Sequence, residues 1–281
     1  MVVAMKKTEL INMSEQFVKE SPKNYISKDD ALNHDYIGMQ IYQDPIFAFG
    51  TANDDLYELY KSPDIIGSHF LPPHEWLPSA NTVISIFFPY SIDIKSANSK
   101  IEDWPAEQWL HGRYEGQIFI KEFVEYVNKT ITTAGYECIA PAYDARYETG
   151  DTRDPSKSPK NRFTSNWSER HIAYACGLGT FGMSAGIITK KGTCGRLCSI
   201  VTNIDFEKDT REYTEIYEYC TMCGKCAKNC ILGAISKDGK EESLCSDFLD
   251  KVFSKHTPRY GCGKCQVNVP CESKIPKKGF N

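Results

Sequence analysis

With 281 residues, of which 41% are hydrophobic, the chain can build a substantial core and has the length of one main domain plus a smaller one. Its 33 basic and 37 acidic residues give a net charge of −4, so the composition provides no general attraction to nucleic acid and favours a small substrate or a protein partner. No apolar stretch approaches the about 20 residues of a membrane span. Residues 1–20 lack the apolar core of a secretion signal, which favours a cytoplasmic protein.

In chain order, the first predicted elements are helices and strands in alternation. Residues 8–20 have an apolar face and predict an amphipathic helix. Residues 82–88, rich in β-branched and aromatic side chains, predict a buried strand that stops at Pro89. Apolar side chains at near-helical spacing predict a helix over residues 117–133, and a short strand over residues 137–142 follows it. This succession of strand, helix and strand indicates an α/β fold.

A polar segment with two prolines, residues 148–166, predicts a surface loop long enough to be functional. Residues 168–176 then predict a helix that enters a glycine-rich turn. In this turn Gly177, Gly179 and Gly182 have the spacing of a dinucleotide-binding fingerprint. A helix precedes them where the fingerprint requires a strand, which argues against such a site. The glycines instead let the backbone pass close to something flat, either a packed element or a cofactor.

The region between this turn and the C-terminal cysteines predicts a hairpin and a linker. Residues 187–189 and 197–203 have strand character and flank a turn, so we expect them to pair with each other. A charged stretch follows them and predicts a linker. We therefore divide the chain into an α/β domain over residues 1–205 and a ferredoxin-type domain over residues 206–281.

The last 62 residues hold eight of the twelve cysteines, and the first four of these follow the spacing C-x2-C-x2-C-x3-C. Three thiolates at this spacing fit three corners of a four-iron cubane. In two-cluster ferredoxins the last cysteine of each run crosses to the other cluster. The spacing therefore predicts two [4Fe–4S] clusters, one held by Cys220, Cys223, Cys226 and Cys271, and the other by Cys230, Cys245, Cys262 and Cys265.

Two other uses of these cysteines fit less well. Zinc ribbons use paired C-x2-C knuckles with a longer spacer, and disulfide scaffolds are typical of short secreted chains. The run departs from the bacterial ferredoxin pattern in two places. Ile231 stands where that pattern has proline, and five residues instead of three separate Cys265 from Cys271, so this loop must bulge. Exposed clusters also imply an anaerobic or oxygen-poor cell.

The other four cysteines have a simpler interpretation. Cys194 and Cys198 fall four residues apart in a predicted strand, which places them about 13 Å apart on one face. A redox or metal pair is the alternative, but two small buried thiols is the better interpretation. We interpret Cys138 and Cys176 in the same way.

Three motifs point to one family. They are residues 168–182, with Ser-Glu-Arg-His before the glycine-rich turn, residues 199–203, and residues 260–266, which read Tyr-Gly-Cys-Gly-Lys-Cys-Gln. Together they resemble the epoxyqueuosine reductase family, which is related to the corrinoid-dependent reductive dehalogenases. The resemblance covers roughly residues 45–275 and is most specific in the last 110 of them.

This resemblance implies a nitroreductase-like α/β domain that holds cobalamin with its lower base displaced, next to a double-cluster domain. It implies that an external donor such as ferredoxin or flavodoxin passes electrons through both clusters to cobalt, which reduces a small organic substrate. The glycine-rich turn of the family packs beside the corrin. The residues implied to bind cobalamin are therefore Arg170, Gly177, Gly179, Thr180 and Gly182.

The chain also departs from the family. The acidic proton donor that the family places upstream of its Glu-Arg pair has no counterpart, because residues 163–166 read Phe-Thr-Ser-Asn. We therefore expect the catalytic proton to come from Tyr90, Tyr114 or His171. For His111 and Arg113, in the same region, packing roles are the better interpretation, and acidic or orienting groups are the alternative.

The sequence ends soon after the second set of cysteines, so we do not expect the C-terminal repeats that some members use on tRNA. Together with the charge of −4, this argues against tRNA as a partner. The alternative to an enzyme is an electron-transfer or reactivating protein. Such a protein would serve another protein's corrinoid or flavin without a substrate of its own.

Overall fold

The computed structural model describes residues 5–149 and 163–277. Its helices are α1 (Lys7–Glu20), α2 (Leu56–Leu59), α3 (Pro73–Trp76), α4 (Ile92–Lys100), α5 (Glu107–Thr133), α6 (Glu169–Ala175), α7 (Lys225–Lys228) and α8 (Glu242–His256). Its strands are β1 (Ile46–Thr51), β2 (Thr82–Pro89), β3 (Cys138–Ile139), β4 (Gly179–Phe181), β5 (Ile187–Thr189), β6 (Gly195–Thr202), β7 (Ile235–Ser236) and β8 (Gly239–Lys240). Three short 3-10 helices cover Pro22–Asn24, His34–Tyr36 and Pro141–Tyr143.

The core is built on a four-stranded sheet in the order β1-β2-β6-β3. Every neighbouring pair in it is antiparallel. Strands β2 and β6 pair along their whole length, from Thr82 opposite Thr202 to Pro89 opposite Gly195. The predicted mixture of helices and strands is therefore confirmed. The predicted strand, helix and strand do not make neighbouring strands, because β6 lies between β2 and β3.

Strand β2 is buried at every position, as the sequence predicts, because both faces of the sheet are covered. Ile84, Ile86 and Phe88 pack with the apolar face of α5. Val83 and Phe87 point to the other side and pack with α6. Since successive side chains of a strand point to opposite faces, β2 contributes to both halves of the core.

Helix α5 begins ten residues earlier than the prediction. Gly112 and Gly116 weaken the helical signal in its first turns. A Cβ atom on Gly112 would lie 2.9 Å from the ring of Tyr90, and one on Gly116 would lie 2.5 Å from the hydroxyl of Tyr42. The glycines thus let the helix lie directly on two buried tyrosines, and this contact becomes evident only in the tertiary structure.

The predicted hairpin between residues 187–189 and 197–203 is wrong. Strand β5 pairs with β4, with Thr180 opposite Ile188, whereas β6 pairs with β2 and β3. Strand β6 carries apolar side chains toward both halves of the core and therefore takes a central position in the sheet. Cys194 precedes β6, so it does not share a strand with Cys198 as predicted, although both thiols are buried.

Two other predictions differ from the structure in extent. The strand expected over residues 137–142 is limited to β3, because Pro141 begins a 3-10 helix. Most of the predicted surface loop, residues 150–162, lies outside the described residues. In the two described ranges, no helix is long and apolar enough to cross a membrane.

The cysteine-rich segment is fixed to the rest of the protein by hydrogen bonds to its backbone. The Thr193 N–H donates to the carbonyl of Cys271 at 2.9 Å, and the Cys194 N–H donates to the carbonyl of Glu272 at 3.1 Å. On another side, the Asn98 side chain on α4 donates to the carbonyl of Cys262 at 3.0 Å. Through these hydrogen bonds, residues that precede the cysteine-rich segment in the chain hold its loops in place. The division at residue 205 stays a prediction.

Candidate functional site

The eight C-terminal cysteines line two separate cavities. Four thiols border an inner cavity of about 220 Å³ between α5, α6 and the C-terminal segment; they are Cys230, Cys245, Cys262 and Cys265. The other four border an outer cavity of about 20 Å³ next to the hairpin of β4 and β5; they are Cys220, Cys223, Cys226 and Cys271. The two groups are the same as the two ligand sets derived from the spacing. In the described parts of the chain, no three His, Cys, Asp or Glu side chains lie close enough to hold a single metal ion.

Local structure explains how the first run of cysteines wraps around its cavity. Gly224 has a left-handed backbone with φ of 71° and starts the short helix α7, which carries Cys226. The five-residue spacing before Cys271 is accommodated by a turn in which Asn268 has φ of 53°. The N–H of Asn268 donates to the Glu272 carboxylate at 2.6 Å. The predicted bulge in this loop is therefore present.

Burial changes the acidity of several of these thiols. It raises the pKa of Cys262 and of Cys271 to about 12, and that of Cys226 to about 11. Thiolate is the form that binds metal, so a metal bound by these cysteines would displace protons from them.

The indole ring of Trp109, on α5, lies directly under the loop that carries Cys262. A Cβ atom on Gly263 would lie 1.9 Å from Cζ2 of Trp109, and Gly263 has φ of 68°. Only glycine fits this loop, both for its backbone angle and for its approach to the ring. The contact between Trp109 and the loop sets the distance between α5 and the cysteines that border the inner cavity.

Lys264, between Cys262 and Cys265, fastens the same loop to α4. Its side chain is 4% exposed, and its ammonium donates to the Asn98 carbonyl at 2.7 Å and to the Ile101 carbonyl at 2.6 Å. Its hydrogen bonds are all to neutral oxygens, so a positive charge is buried next to the inner cavity.

Three arginines from three different elements reach the inner cavity. They are Arg113 on α5, Arg170 on α6 and Arg196 on β6. The guanidinium of Arg113 lies over the ring of Tyr260, 4.8 Å from its centroid. Burial opposes its charge, but the hydroxyls of Tyr260 and Tyr90 raise its pKa overall, so it stays charged. Sequence reasoning gave Arg113 a packing role and did not single out Arg196.

Glu242, the first residue of α8, is the one carboxyl group among the described residues that line this cavity. Its carboxylate accepts a hydrogen bond from the N–H of Phe163 at 3.3 Å. Burial raises its pKa, although this N–H and the charge of Arg170 act in the opposite direction. Sequence reasoning missed Glu242, because it lies about 80 residues from Phe163 in the chain. The structure thus brings a carboxyl to the stretch where the family's acid is missing.

The three predicted proton donors lie in different places. Tyr90 borders the inner cavity and is fully buried, with its hydroxyl donating to the Gly112 carbonyl at 3.1 Å; burial raises its pKa. Tyr114 and His171 are not among the residues that line the cavity. His171 contacts the hydroxyl of Ser168 at 2.8 Å, and burial lowers its pKa to about 4, so it is neutral at pH 7.

The residues that the resemblance implies for cobalamin binding do not come together at one cavity. Arg170 borders the inner cavity, whereas Gly182 borders the outer one. Gly177 lies near the backbone of residues 210–211, and Gly179 packs against the carbonyl of Ile188 on β5. The hydroxyl of Thr180 accepts a hydrogen bond from the N–H of Tyr219 at 2.9 Å. The close approaches of Gly177 and Gly179 are therefore to packed protein.

The other residues considered in the sequence analysis, a histidine and two cysteines, lie away from both cavities and contact other parts of the protein. His111 is buried; its Nε2 accepts from the N–H of Leu32, and its Nδ1 contacts the Glu115 carboxylate at 3.0 Å. Cys176 is buried as predicted. Cys138 is half-buried, because the short strand β3 lies at the edge of the sheet.

Glu169, next to Arg170, gives a prediction about pH. Both carboxylate oxygens are buried without a hydrogen-bond partner among the described residues, although Ser199 and Trp167 lie nearby. Burial raises its pKa from 4.5 to about 7. The stability that Glu169 contributes is therefore present below about pH 4.5 and is lost as the pH rises to about 7. In this range the Glu169 carboxyl ionises in the unfolded chain but stays protonated in the folded protein.

Glu169→Gln is thus expected to increase the free energy of unfolding at pH 8 by roughly 3 kcal/mol, and much less at pH 5.5. Urea denaturation under anaerobic conditions at both pH values measures this difference. The exposed Glu125→Gln serves as the control and should change neither value. Equal stabilisation by Glu169→Gln at both pH values would contradict a raised pKa.

Comparisons with known proteins connect this geometry to one fold. No family model and no curated protein matches the chain. An epoxyqueuosine reductase from Bacillus subtilis, with its catalytic aspartate loop swung out of the active site, aligns over 96% of this chain and 66% of its own, with 20% identity and a TM-score of 0.52. The chain has the fold of the epoxyqueuosine reductases. It spans about two thirds of the length of this reductase.

Two further structures extend the comparison. An epoxyqueuosine reductase with an epoxyqueuosine-modified tRNA stem loop aligns over 94% of this chain and 66% of its own, with 18% identity and a TM-score of 0.52. A reductive dehalogenase, whose structure suggests a mechanism for B12-dependent dehalogenation, aligns over 82% of this chain and 30% of its own, with 15% identity and a TM-score of 0.52. The predicted resemblance to epoxyqueuosine reductases and reductive dehalogenases is confirmed for the fold.

Proposed function

We propose that the protein is an iron–sulfur oxidoreductase that passes electrons through two [4Fe–4S] clusters to a small organic substrate. One observation carries this proposal: the eight C-terminal cysteines surround two cavities in groups of four, and the spacing alone predicts the same groups. The structural neighbours are reductases by name, which supports a reductive reaction.

The surroundings of the two groups suggest a direction for the electrons. Cys223 is exposed, so the outer cluster is the entry point for an external donor such as ferredoxin or flavodoxin. The inner cluster lies against Trp109 and the arginines, where the substrate would be reduced. The thiolates hold the clusters, which supply the one-electron chemistry when bound. Trp109 and Lys264 fix the distance between the inner cluster and the α/β part.

Reduction of an organic substrate by two electrons also consumes protons. Among the predicted donors, Tyr90 borders the inner cavity, and Glu242 borders it as well. Tyr114 and His171 would need a connection to this cavity, and a neutral His171 at pH 7 is a poor proton donor. By position, Tyr90 comes before Tyr114 and His171 as the proton source, although burial raises its pKa and makes it a weaker acid. Glu242 is added to the candidates.

A more specific form of the proposal has cobalamin as the terminal acceptor of the electrons. It rests on the resemblance and on the B12-dependent reaction of the dehalogenase neighbour. The inner cavity of about 220 Å³ is smaller than the about 300–1,000 Å³ of sites for drug-sized ligands, and a corrinoid is larger than such ligands. The inner cavity is therefore too small to enclose a corrinoid, and we derive no step through it.

This small cavity favours a second candidate function. The protein would pass electrons to a corrinoid or flavin that belongs to another protein, without a substrate of its own. In either case a net charge of −4 favours a small molecule or a protein partner over tRNA, and the tRNA complex is a property of the neighbour. Reduced thiols and clusters suit the cytoplasm.

Anaerobic reconstitution tests the proposal. We expect about eight irons and eight sulfides per chain, since the spacing provides ligands for two cubanes. A content near four irons would contradict the model with two clusters. Cobalamin is then added and followed by absorption and paramagnetic resonance. Binding with the lower base displaced supports the enzyme with its own corrinoid, and absence of binding supports the electron carrier.

A further inference from the structure

The inner cavity has a pronounced excess of positive charge. Five cationic side chains line it, and Glu242 is the one carboxyl among its described lining residues; the cations are Arg113, Arg170, Arg196, Lys240 and Lys264. An oxidised cubane with four thiolates carries about two negative charges. The cluster therefore neutralises only part of this charge, and the remainder favours an anion.

The arginines have few other partners. In residues 5–149 and 163–277, Arg113, Arg170 and Arg196 form no ion pair with a carboxylate. Removing a guanidinium from water is costly unless a partner compensates it. Arg170 is exposed, so water compensates its charge, whereas Arg113 and Arg196 are half-buried. These two groups come from different elements and face one cavity, where an anionic ligand would replace the hydration that they have lost.

Two buried hydrogen-bond donors at the cavity also indicate a ligand that accepts hydrogen bonds. The indole N–H of Trp109, a side chain that is 2% exposed, has no hydrogen-bond partner among the described residues. The Nε of Arg196 is likewise buried and unpaired, although its Nη2 donates to the Gln117 side chain at 2.6 Å. Buried donors are nearly always paired in native proteins, so these two indicate an acceptor in the cavity.

The positions of the arginines are fixed before any ligand binds. Gln117 holds Arg196, and its own amide donates to the Tyr143 hydroxyl at 2.7 Å. The Tyr260 ring holds Arg113 by a cation–π contact. Such preorganisation lowers the entropic cost of binding.

The apolar part of the lining defines the rest of the ligand. Aromatic side chains of Tyr90, Trp109, Phe163 and Phe248 border the same cavity. They suit a flat apolar body. The inner cluster takes part of the volume of about 220 Å³, so the space that is left limits the ligand to a small molecule.

We propose that the inner cavity binds a small organic anion with a flat apolar body, and that Arg113 and Arg196 hold its carboxylate beside the inner cluster. The proposal rests on the proposed function, since it names the substrate class of that site. Guanidinium groups pair with carboxylates through two parallel hydrogen bonds, which a neutral amide cannot reproduce with the same strength.

Anaerobic calorimetry with benzoate and with its neutral isostere benzamide tests this site on the reconstituted protein. Benzoate should bind about tenfold or more tightly than benzamide, because the charged hydrogen bonds are lost in the amide. Arg113→Gln should weaken benzoate binding by about tenfold or more. Arg146→Gln is the control and should leave it unchanged, since Arg146 pairs with Asp144 away from the cavity.

Equal binding of the two probes, or no binding of benzoate, would overturn the anion site. If Arg113→Gln loses iron, its benzoate binding no longer reports on Arg113 alone. The comparison of benzoate with benzamide on the unaltered protein then tests the anion site. The iron content of each sample separates the two proposals. Eight irons without benzoate binding overturn the anion site alone, whereas fewer irons overturn the proposed clusters whatever the calorimetry gives.

Discussion

Cys245→Ala is expected to lower the iron content of the anaerobically reconstituted protein from about eight to about four atoms per chain. Cys245 lies on α8 and borders the inner cavity with Cys230, Cys262 and Cys265. Cys245→Ala removes one of the four thiolates predicted to hold the inner cubane, while the outer group stays complete. Iron and sulfide analysis gives the stoichiometry, and paramagnetic resonance of the reduced protein should change from two interacting clusters to one isolated cluster.

Cys138→Ala is the matched control for this experiment. Cys138 is a half-buried thiol on the edge strand β3 and borders neither cavity. Its replacement should leave about eight irons in place. If Cys245→Ala also keeps eight irons, Cys245 is not a ligand and the inner group must be assigned again.

Gly263→Ala is expected to destabilise the protein by about 3 kcal/mol or more and to loosen the inner cluster. The new Cβ would lie 1.9 Å from Cζ2 of Trp109, so either the ring or the cysteine loop must move. The left-handed backbone at this position adds strain of about 1 kcal/mol for any residue with a Cβ. Urea denaturation of the anaerobic protein measures the loss, and iron analysis of the same sample reports on the cluster.

Gly233→Ala separates these two causes. Gly233 has nearly the same backbone angle, with φ of 63°, but no atom lies within 4 Å of its Cβ position. This variant should lose only about 1 kcal/mol and keep its iron. Equal losses for the two variants would show that the contact with Trp109 contributes nothing beyond backbone strain.

Local patterns were sufficient to predict much of the molecule. The amphipathic helix α1, the buried strand β2 and the short helix α6 all follow from periodicity within one element. The two groups of cysteines were also predictable, because each C-x2-C loop wraps one site and the crossing of the last cysteine is a property of the run.

Where the tertiary structure overrides a local signal, sequence reasoning failed. It began α5 too late, since glycines that normally weaken a helix here admit Tyr42 and Tyr90. It paired β5 with β6, because neighbouring strands in sequence are the usual partners, whereas β6 is apolar on both faces and needs the centre of the sheet.

The sequence by itself therefore predicted the type of chemistry, through cysteines whose spacing is a local property. Only the tertiary structure decided what surrounds the inner cavity. Trp109, Arg113, Arg196 and Glu242 come from α5, β6 and α8, which are separated by up to about 130 residues of chain. None of them has a distinctive local pattern, since a single arginine or glutamate in a sequence is usually a solvated surface residue. Their convergence depends on the packing of the helices on the central sheet, and this packing is set by the whole core.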